Sequence, residues 1–85
     1  MPLVEVHPEG GSAFRVEVEG RSFAVTVPET LVVELGAPDA EALVRASFDY
    51  LLEREPAGSI LPRFELSVIA RYFPGWRDEI RRRWR

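Results

Sequence analysis

The sequence of 85 residues and 9.7 kDa has the size of one small domain, residues 1–85. Apolar residues make up 46% of it and charged residues 29%, which is typical of a globular chain rather than a disordered one. It has no cysteine and a single histidine, His7, which excludes disulfides and thiolate metal sites. No apolar run approaches the roughly 20 residues of a membrane helix, and the start MPLVEVHPEGG lacks the pattern of a signal peptide. We therefore expect a cytoplasmic protein without membrane contact.

The charge is distributed unevenly along the chain. Residues 1–60 hold four arginines and eleven acidic residues, a net charge of −7, whereas residues 61–85 hold seven arginines and three acidic residues, a net charge of +4. Such asymmetry indicates either a surface for nucleic acid or an acidic partner, or attraction between the two ends within one domain or across a dimer. We favour the attraction.

Lysine, asparagine and glutamine are absent, and the eleven positively charged side chains are all arginines. Depletion of asparagine and glutamine is typical of thermophile proteins, whereas absence of lysine is not. GC-rich codon use explains the choice of arginine over lysine more simply.

Two segments in the first third of the chain predict β-strands. In residues 13–19 and 22–27 every second residue is apolar, and this period of two is typical of strands with one buried face. Gly20 suits the turn between them, so the segments predict an antiparallel hairpin. Residues 3–6 predict a third strand that ends at His7-Pro8. The shared apolar face of the hairpin consists of Phe14, Val16, Val18, Phe23, Val25 and Val27.

Two helices are predicted after the hairpin. The first covers residues 29–35 and ends at Gly36. The second and longest covers residues 39–54, with Asp39 as N-cap and Pro56 beyond its end. We expect this helix to cover the apolar face of the hairpin, because a hairpin alone is marginally stable in water. Its apolar stripe consists of Ala40, Leu43, Val44, Ser47, Phe48, Leu51 and Leu52.

The remaining residues predict short helices. A single turn begins at Ser59 or Leu61 and ends near Phe64, and a second helix over residues 68–73 has Ser67 as its cap. The fold class is therefore α+β: a hairpin or three-stranded antiparallel sheet, then one long helix and short C-terminal helices.

The last predicted helix combines an apolar stripe with a cluster of arginines. Trp76, Ile80 and Trp84 lie four residues apart, and five of the last nine residues are arginines. Arginine binds phosphate bidentately and a neighbouring aromatic ring can stack on a base, so the pattern permits nucleic-acid binding.

Internal neutralisation is the interpretation we favour for this cluster. On a helix Asp78 can pair with Arg81 or Arg82, and Glu79 with Arg83. Cations near a helix C-terminus also interact favourably with the helix dipole. The acidity of the whole chain further disfavours nucleic acid, whose non-specific binding depends on neutralising phosphates.

Aromatic and arginine side chains near the end of the chain predict a contact surface for a protein partner. Tryptophan, tyrosine and arginine are the residues that dominate binding energy at interfaces. Since the symmetric dimer is the commonest oligomer, the expected partner is a second copy of the chain. The predicted contact residues are Tyr72, Trp76, Arg77, Arg81, Arg82, Arg83, Trp84 and Arg85.

The sequence predicts no catalytic, cofactor or metal site. No phosphate-binding glycine loop is present, since the only Gly-Gly-Ser segment, residues 10–12, lacks the spacing and the lysine. A lone His7 at the end of a strand predicts an exposed side chain, and acidic pairs such as Glu17 and Glu19 predict an exposed strand face. We therefore expect a protein that is not an enzyme; the distant alternative is a small-molecule or metal-dependent enzyme that uses carboxylates.

Residues 22–54 resemble the ribbon-helix-helix regulators and antitoxins. The resemblance lies in PETL (28–31) and EALVRASFDYLLER (41–54). In that family two strands pair across a dimer, and their outward side chains read the major groove. The positions that would point outward here are Ser22, Ala24 and Thr26, which are small and uncharged.

Residues 47–74, SFDYLLEREPAGSILPRFELSVIARYFP, are similar to a stretch found in small bacterial proteins without known function. This resemblance implies that the C-terminal segments belong to the domain. The leading functional hypothesis is a non-catalytic, homodimeric interaction or regulatory module, and the alternative is a DNA-binding, antitoxin-like regulator.

Overall fold

A computed structural model describes residues 3–84 of the chain and places a four-stranded sheet beside four helices. The α+β class is therefore confirmed. Two short 3-10 turns lie between the later elements, at Ala57–Ser59 and Leu66–Val68. The strands are β1 (Val4–Pro8), β2 (Ala13–Val18), β3 (Arg21–Thr26) and β4 (Arg63–Glu65), and the helices are α1 (Glu29–Leu35), α2 (Ala40–Leu52), α3 (Ile69–Tyr72) and α4 (Trp76–Arg83).

The first three strands form an antiparallel meander in chain order. The predicted hairpin and the predicted third strand are both present, and β1 runs through His7 to Pro8 instead of ending before them. At the turn between β2 and β3, Glu19 has φ 52° and Gly20 has φ 78°. Positive φ at both central residues is the requirement of a type I′ turn, whose twist matches that of the flanking strands.

The fourth strand corrects one prediction. Residues near Phe64 form no helical turn; Arg63–Glu65 pair in parallel with β3, with Phe64 beside Val25. The amide of Ala24 donates to the carbonyl of Pro62 at 2.9 Å at the start of this pairing. A strand of three residues with one apolar side chain is too short to show a period of two, so the sequence does not predict it. It forms because β3 offers an edge with which it can pair.

Helix α2 covers the apolar face of the sheet, as predicted. Phe23 and Val25 are buried, and the ring of Phe23 lies 5.4 Å from the ring of Phe48, centroid to centroid. The Asp39 carboxylate accepts from the amide of Ala42 at 2.8 Å, which confirms the N-cap. Before it, α1 ends at Gly36 in the left-handed conformation that favours glycine.

The C-terminal segments contact α2 through Trp76, which bonds Ser47, and Phe73, which packs on Tyr50. Ser67 does not cap a helix over residues 68–73; it lies within a 3-10 turn and donates to the Glu65 carboxylate, and α3 is a single turn. In α4, Trp76 and Ile80 are fully buried and Trp84 is partly buried. The predicted apolar stripe of the last helix therefore faces inward, and the buried apolar side chains of residues 3–84 form one cluster.

The free edge of the sheet at β1 is protected against pairing with another chain. Arg45 Nη1 donates to the carbonyl of Val4 at 2.7 Å, and Pro8 offers no amide hydrogen at the end of the strand. Within residues 3–84 no helix has both the length and the apolar character needed to cross a bilayer.

Candidate functional site

Trp76 belongs to the core of the protein. Its side chain has no exposed area, and its indole Nε1 donates to Oγ of Ser47, also fully buried, at 3.2 Å. Of the predicted contact residues, this one therefore lies where a partner does not reach it in the folded chain. The physical reason is that Trp76 begins the apolar stripe of α4, and a buried indole needs a partner for its N–H, which α2 supplies.

Two arginines of α4 bind one carboxylate of α1. Arg77 Nη1 lies 2.7 Å from Oε2 of Glu34, and Arg81 Nη2 lies 3.6 Å from the same oxygen. Arg81 also contacts Asp78 at 3.3 Å, one of the pairings that the sequence predicts. These contacts attach the basic helix to the acidic body of the chain.

The next two arginines are paired as well. Arg82 contacts Glu79 at 3.1 Å, and Arg83 lies 3.9 Å from Glu53 at the end of α2. Glu79 therefore pairs with Arg82, and Arg83, the partner that the sequence predicts for it, lies against Glu53 instead. Such exposed ion pairs contribute only about 0–1 kcal/mol each to the stability of the fold. Their main effect is to reduce the positive charge that α4 offers to a ligand.

The remaining predicted contact residues, Trp84, Arg85 and Tyr72, differ in where they lie. Trp84 packs partly against the core, and its Nε1 is shielded with no hydrogen-bond partner among residues 3–84. Arg85 lies outside the described residues. Tyr72 is the exposed aromatic of the set, with 66% of its surface accessible.

Tyr72 stands at the rim of an apolar cleft with a volume of about 340 Å³. The cleft lies between the end of α2, the segment that leads into β4, and α3. Eight of its ten lining residues are apolar, and the two polar ones are Glu55 and Ser59. We call it the Tyr72 cleft. Its main apolar walls are Leu51, Ile60, Leu61, Phe64, Tyr72 and Phe73.

The walls of the Tyr72 cleft are held by aromatic contacts. Phe73 meets the ring of Tyr50 edge to face at 6.0 Å, and Phe64 lies 6.1 Å from Phe48. The Arg54 guanidinium covers the Tyr50 ring at 3.6 Å. A cleft of about 300 Å³ or more with fixed apolar walls and a few polar groups is suited to an apolar side chain or a small apolar molecule.

The face of the sheet away from α2 is uncovered. Ser22, Ala24 and Thr26 point outward from β3 and are exposed, as the sequence predicts. Strand β3 pairs with β2 on one side and β4 on the other, so both of its edges are used within the chain. In the strand that would form a ribbon with a second copy in the ribbon-helix-helix arrangement, one edge is thus fully paired with β2 and the other is paired with β4 at Ala24–Thr26.

A cluster that the sequence did not indicate lies on the same open face, across β1 and β2. Glu5 stands directly opposite Glu17, and His7 follows two residues after Glu5 on the same face. One ligand atom from each of the three side chains lies within 4.8 Å of the other two. The proximity of these side chains follows from the register of the two strands, because the pairing of β1 with β2 makes Glu5 and Glu17 neighbours although they are far apart in sequence.

Comparison of the chain with protein-family models, with curated proteins and with solved structures finds no match in any of the three.

Proposed function

We propose that the protein is a non-catalytic, cytoplasmic interaction module that associates with a second copy of itself through the Tyr72 cleft. The cytoplasmic location in this proposal is the expectation from the sequence. The observation that supports the proposal most is the placement of exposed apolar side chains. Among residues 3–84 the large exposed apolar residues are Leu3, Val33, Leu61 and Tyr72, and the last two both belong to the cleft.

The shape of this surface favours a symmetric partner. In a two-fold dimer the same patch is used by both copies, so the patch has to be complementary to itself. Here a protruding Tyr72 ring stands beside a cavity large enough for an aromatic side chain. Each copy can therefore place its Tyr72 into the cleft of the other.

Two unpaired charges near the cleft support the same arrangement. Glu55 lines the cleft and Arg71 precedes Tyr72 in α3, and neither forms an ion pair within residues 3–84. The four described arginines of α4, by contrast, all have acidic partners in the chain. An antiparallel pairing brings the acid of one copy toward the base of the other, and complementary charges of this kind determine register and specificity.

Sedimentation velocity over a range of protein concentrations tests the proposal. The wild-type chain is expected to show a concentration-dependent dimer, and Tyr72→Ser or Leu61→Ser to shift it to monomer. Val33→Ser is the matched control, because Val33 is a large apolar residue that is 81% exposed on α1 and does not line the cleft.

Two results would overturn the proposal. One is a wild-type chain that stays monomeric up to about millimolar protein, where even a weak specific interface associates. The other is a dimer that Val33→Ser dissociates and Tyr72→Ser leaves intact. All three side chains are exposed, so we expect each variant to keep the fold, and circular dichroism of each variant tests this.

The alternative of a DNA-binding regulator is tested by mobility shift at low salt. The proposal predicts no retardation of duplex DNA, because the arginines of α4 are neutralised and the open face of β3 carries small uncharged side chains. Binding at micromolar protein, with loss on Arg82→Ser, would support the alternative.

A further inference from the structure

The open face of β1 and β2 brings the single imidazole of the sequence, His7, close to two carboxylates. Glu5 and Glu17 are direct cross-strand neighbours in the antiparallel register, and like charges in this position are destabilising. His7 Nε2 lies 3.7 Å from Oε1 of Glu5, too far for a hydrogen bond. Although the His7 side chain is 41% exposed, this nitrogen is shielded from solvent and has no hydrogen-bond partner among residues 3–84.

We propose that Glu5, His7 and Glu17 bind a divalent transition-metal ion, with Zn²⁺ as the representative ion. Ligands of a tetrahedral zinc lie about 2.0–2.2 Å from the metal and hence about 3.3–3.6 Å from one another. The three donors here lie within 4.8 Å of one another, so movements of about 1 Å by the two partly exposed glutamates bring them to that distance.

The donor set indicates which ions suit the site. One imidazole with two carboxylates favours zinc and neighbouring transition ions, whereas magnesium and calcium prefer oxygen donors alone. A divalent cation also removes the repulsion between the two opposed glutamates. Glu5 and Glu17 also line an open depression that continues to Glu19, so solvent or a further ligand can reach an ion held by these two carboxylates.

Arg15 is the nearest competing cation. Its Nη1 lies 2.7 Å from Oε2 of Glu17, and its Nε lies 3.6 Å from Glu9. A carboxylate has two oxygens, so the contact between Arg15 and Glu17 is compatible with a metal bond to the same side chain.

The single histidine allows a direct test by NMR. Zn²⁺ is titrated into the full chain, without an affinity tag, at about pH 8, where an imidazole is available as a neutral ligand. Because His7 is the only histidine, each imidazole proton resonance belongs to one known side chain. We expect these resonances to shift saturably with Zn²⁺, and not to shift with the same concentration of Mg²⁺.

Variants distinguish a built site from general attraction to acidic groups. Glu5→Gln and Glu17→Gln are each expected to weaken Zn²⁺ binding about tenfold or more, and His7→Gln to abolish the binding measured by calorimetry. Glu19→Gln is the matched control, since it removes one negative charge from the same depression without removing a ligand. It is expected to change the affinity less than about twofold.

The proposal is wrong if the imidazole resonances of the wild-type chain do not move, and this result needs no variant to fold. It is equally wrong if Glu19→Gln weakens binding as much as Glu5→Gln does, because the ion would then be held by charge alone. A saturable shift that depends on both opposed glutamates supports it.

Discussion

Trp76 provides the strongest test of how the C-terminal helix is attached to the rest of the protein. Its side chain is fully buried, and its N–H donates to Ser47 on α2. Trp76→Ala removes the ring and leaves a cavity between the two helices, and changes of this kind cost about 3–5 kcal/mol. A domain of 85 residues has a total stability of about 4–13 kcal/mol, so the variant loses a large share of it.

Urea unfolding followed by circular dichroism measures this loss. With a slope of about 1 kcal/mol per molar urea for a small domain, the midpoint is expected to fall by about 3 M or more. Trp84→Ala is the matched control, because Trp84 is a tryptophan at the other end of the same stripe but only partly buried. We expect it to cost about 1–2 kcal/mol. The reasoning is refuted if Trp76→Ala costs no more than Trp84→Ala.

Three further changes test other parts of the structure, each by the same unfolding experiment. Asp39→Ala removes the N-cap of α2 and is expected to cost about 1 kcal/mol; no loss would mean that the cap is dispensable. Gly36→Ala introduces a side chain at φ 71° and is expected to cost about 1–2 kcal/mol, whereas Gly58→Ala, where the atoms nearest to a Cβ are at the flexible end of the Arg21 side chain, is expected to cost less than half of that. Glu34→Gln removes the acid that two arginines of α4 share, and is expected to cost less than about 1 kcal/mol and to lose its effect in molar salt. A larger loss that molar salt removes would indicate that α4 is held mainly by charge, and a loss that salt leaves unchanged would contradict the assignment of the effect to charge.

Elements with a clear period could be predicted from the sequence. The alternation in β2 and β3 and the stripe and N-cap of α2 follow from local chemistry, and the structure buries Phe23 and Val25 and places Phe23 against Phe48 of α2 as expected. These predictions succeed because each side chain that faces the core repeats at the spacing of its own element.

Elements whose existence depends on distant partners could not be predicted. β4 has three residues and forms because β3 offers an edge, and α3 is a single turn between a 3-10 turn and a proline. Tyr50 is buried outside the predicted stripe of α2, because Phe73 packs against it. Such burial is determined by tertiary contacts and leaves no periodic signal.

In the candidate sites, too, residue types could be predicted from the sequence, whereas their surroundings depend on tertiary contacts. The sequence predicts Tyr72 as a contact residue by its type, but the cleft beside it is built by residues from α2, β4 and α3. Trp76 has the same chemical character and is buried, since burial depends on which side of α4 meets α2. The proximity of His7 to Glu17 follows from the β1–β2 register, which the local pattern does not fix across the loop at residues 9–12.

The most direct test of the proposed function is an isotope-filtered NOE experiment on a mixture of ¹³C-labelled and unlabelled chains, which detects only contacts between copies. The Tyr72-cleft dimer predicts intermolecular NOEs from the Tyr72 ring to the methyl groups of Leu61 and Ile60. Intermolecular NOEs confined to the open face of the sheet, at Ala24 and Thr26, or none at a concentration where sedimentation shows a dimer, would contradict it.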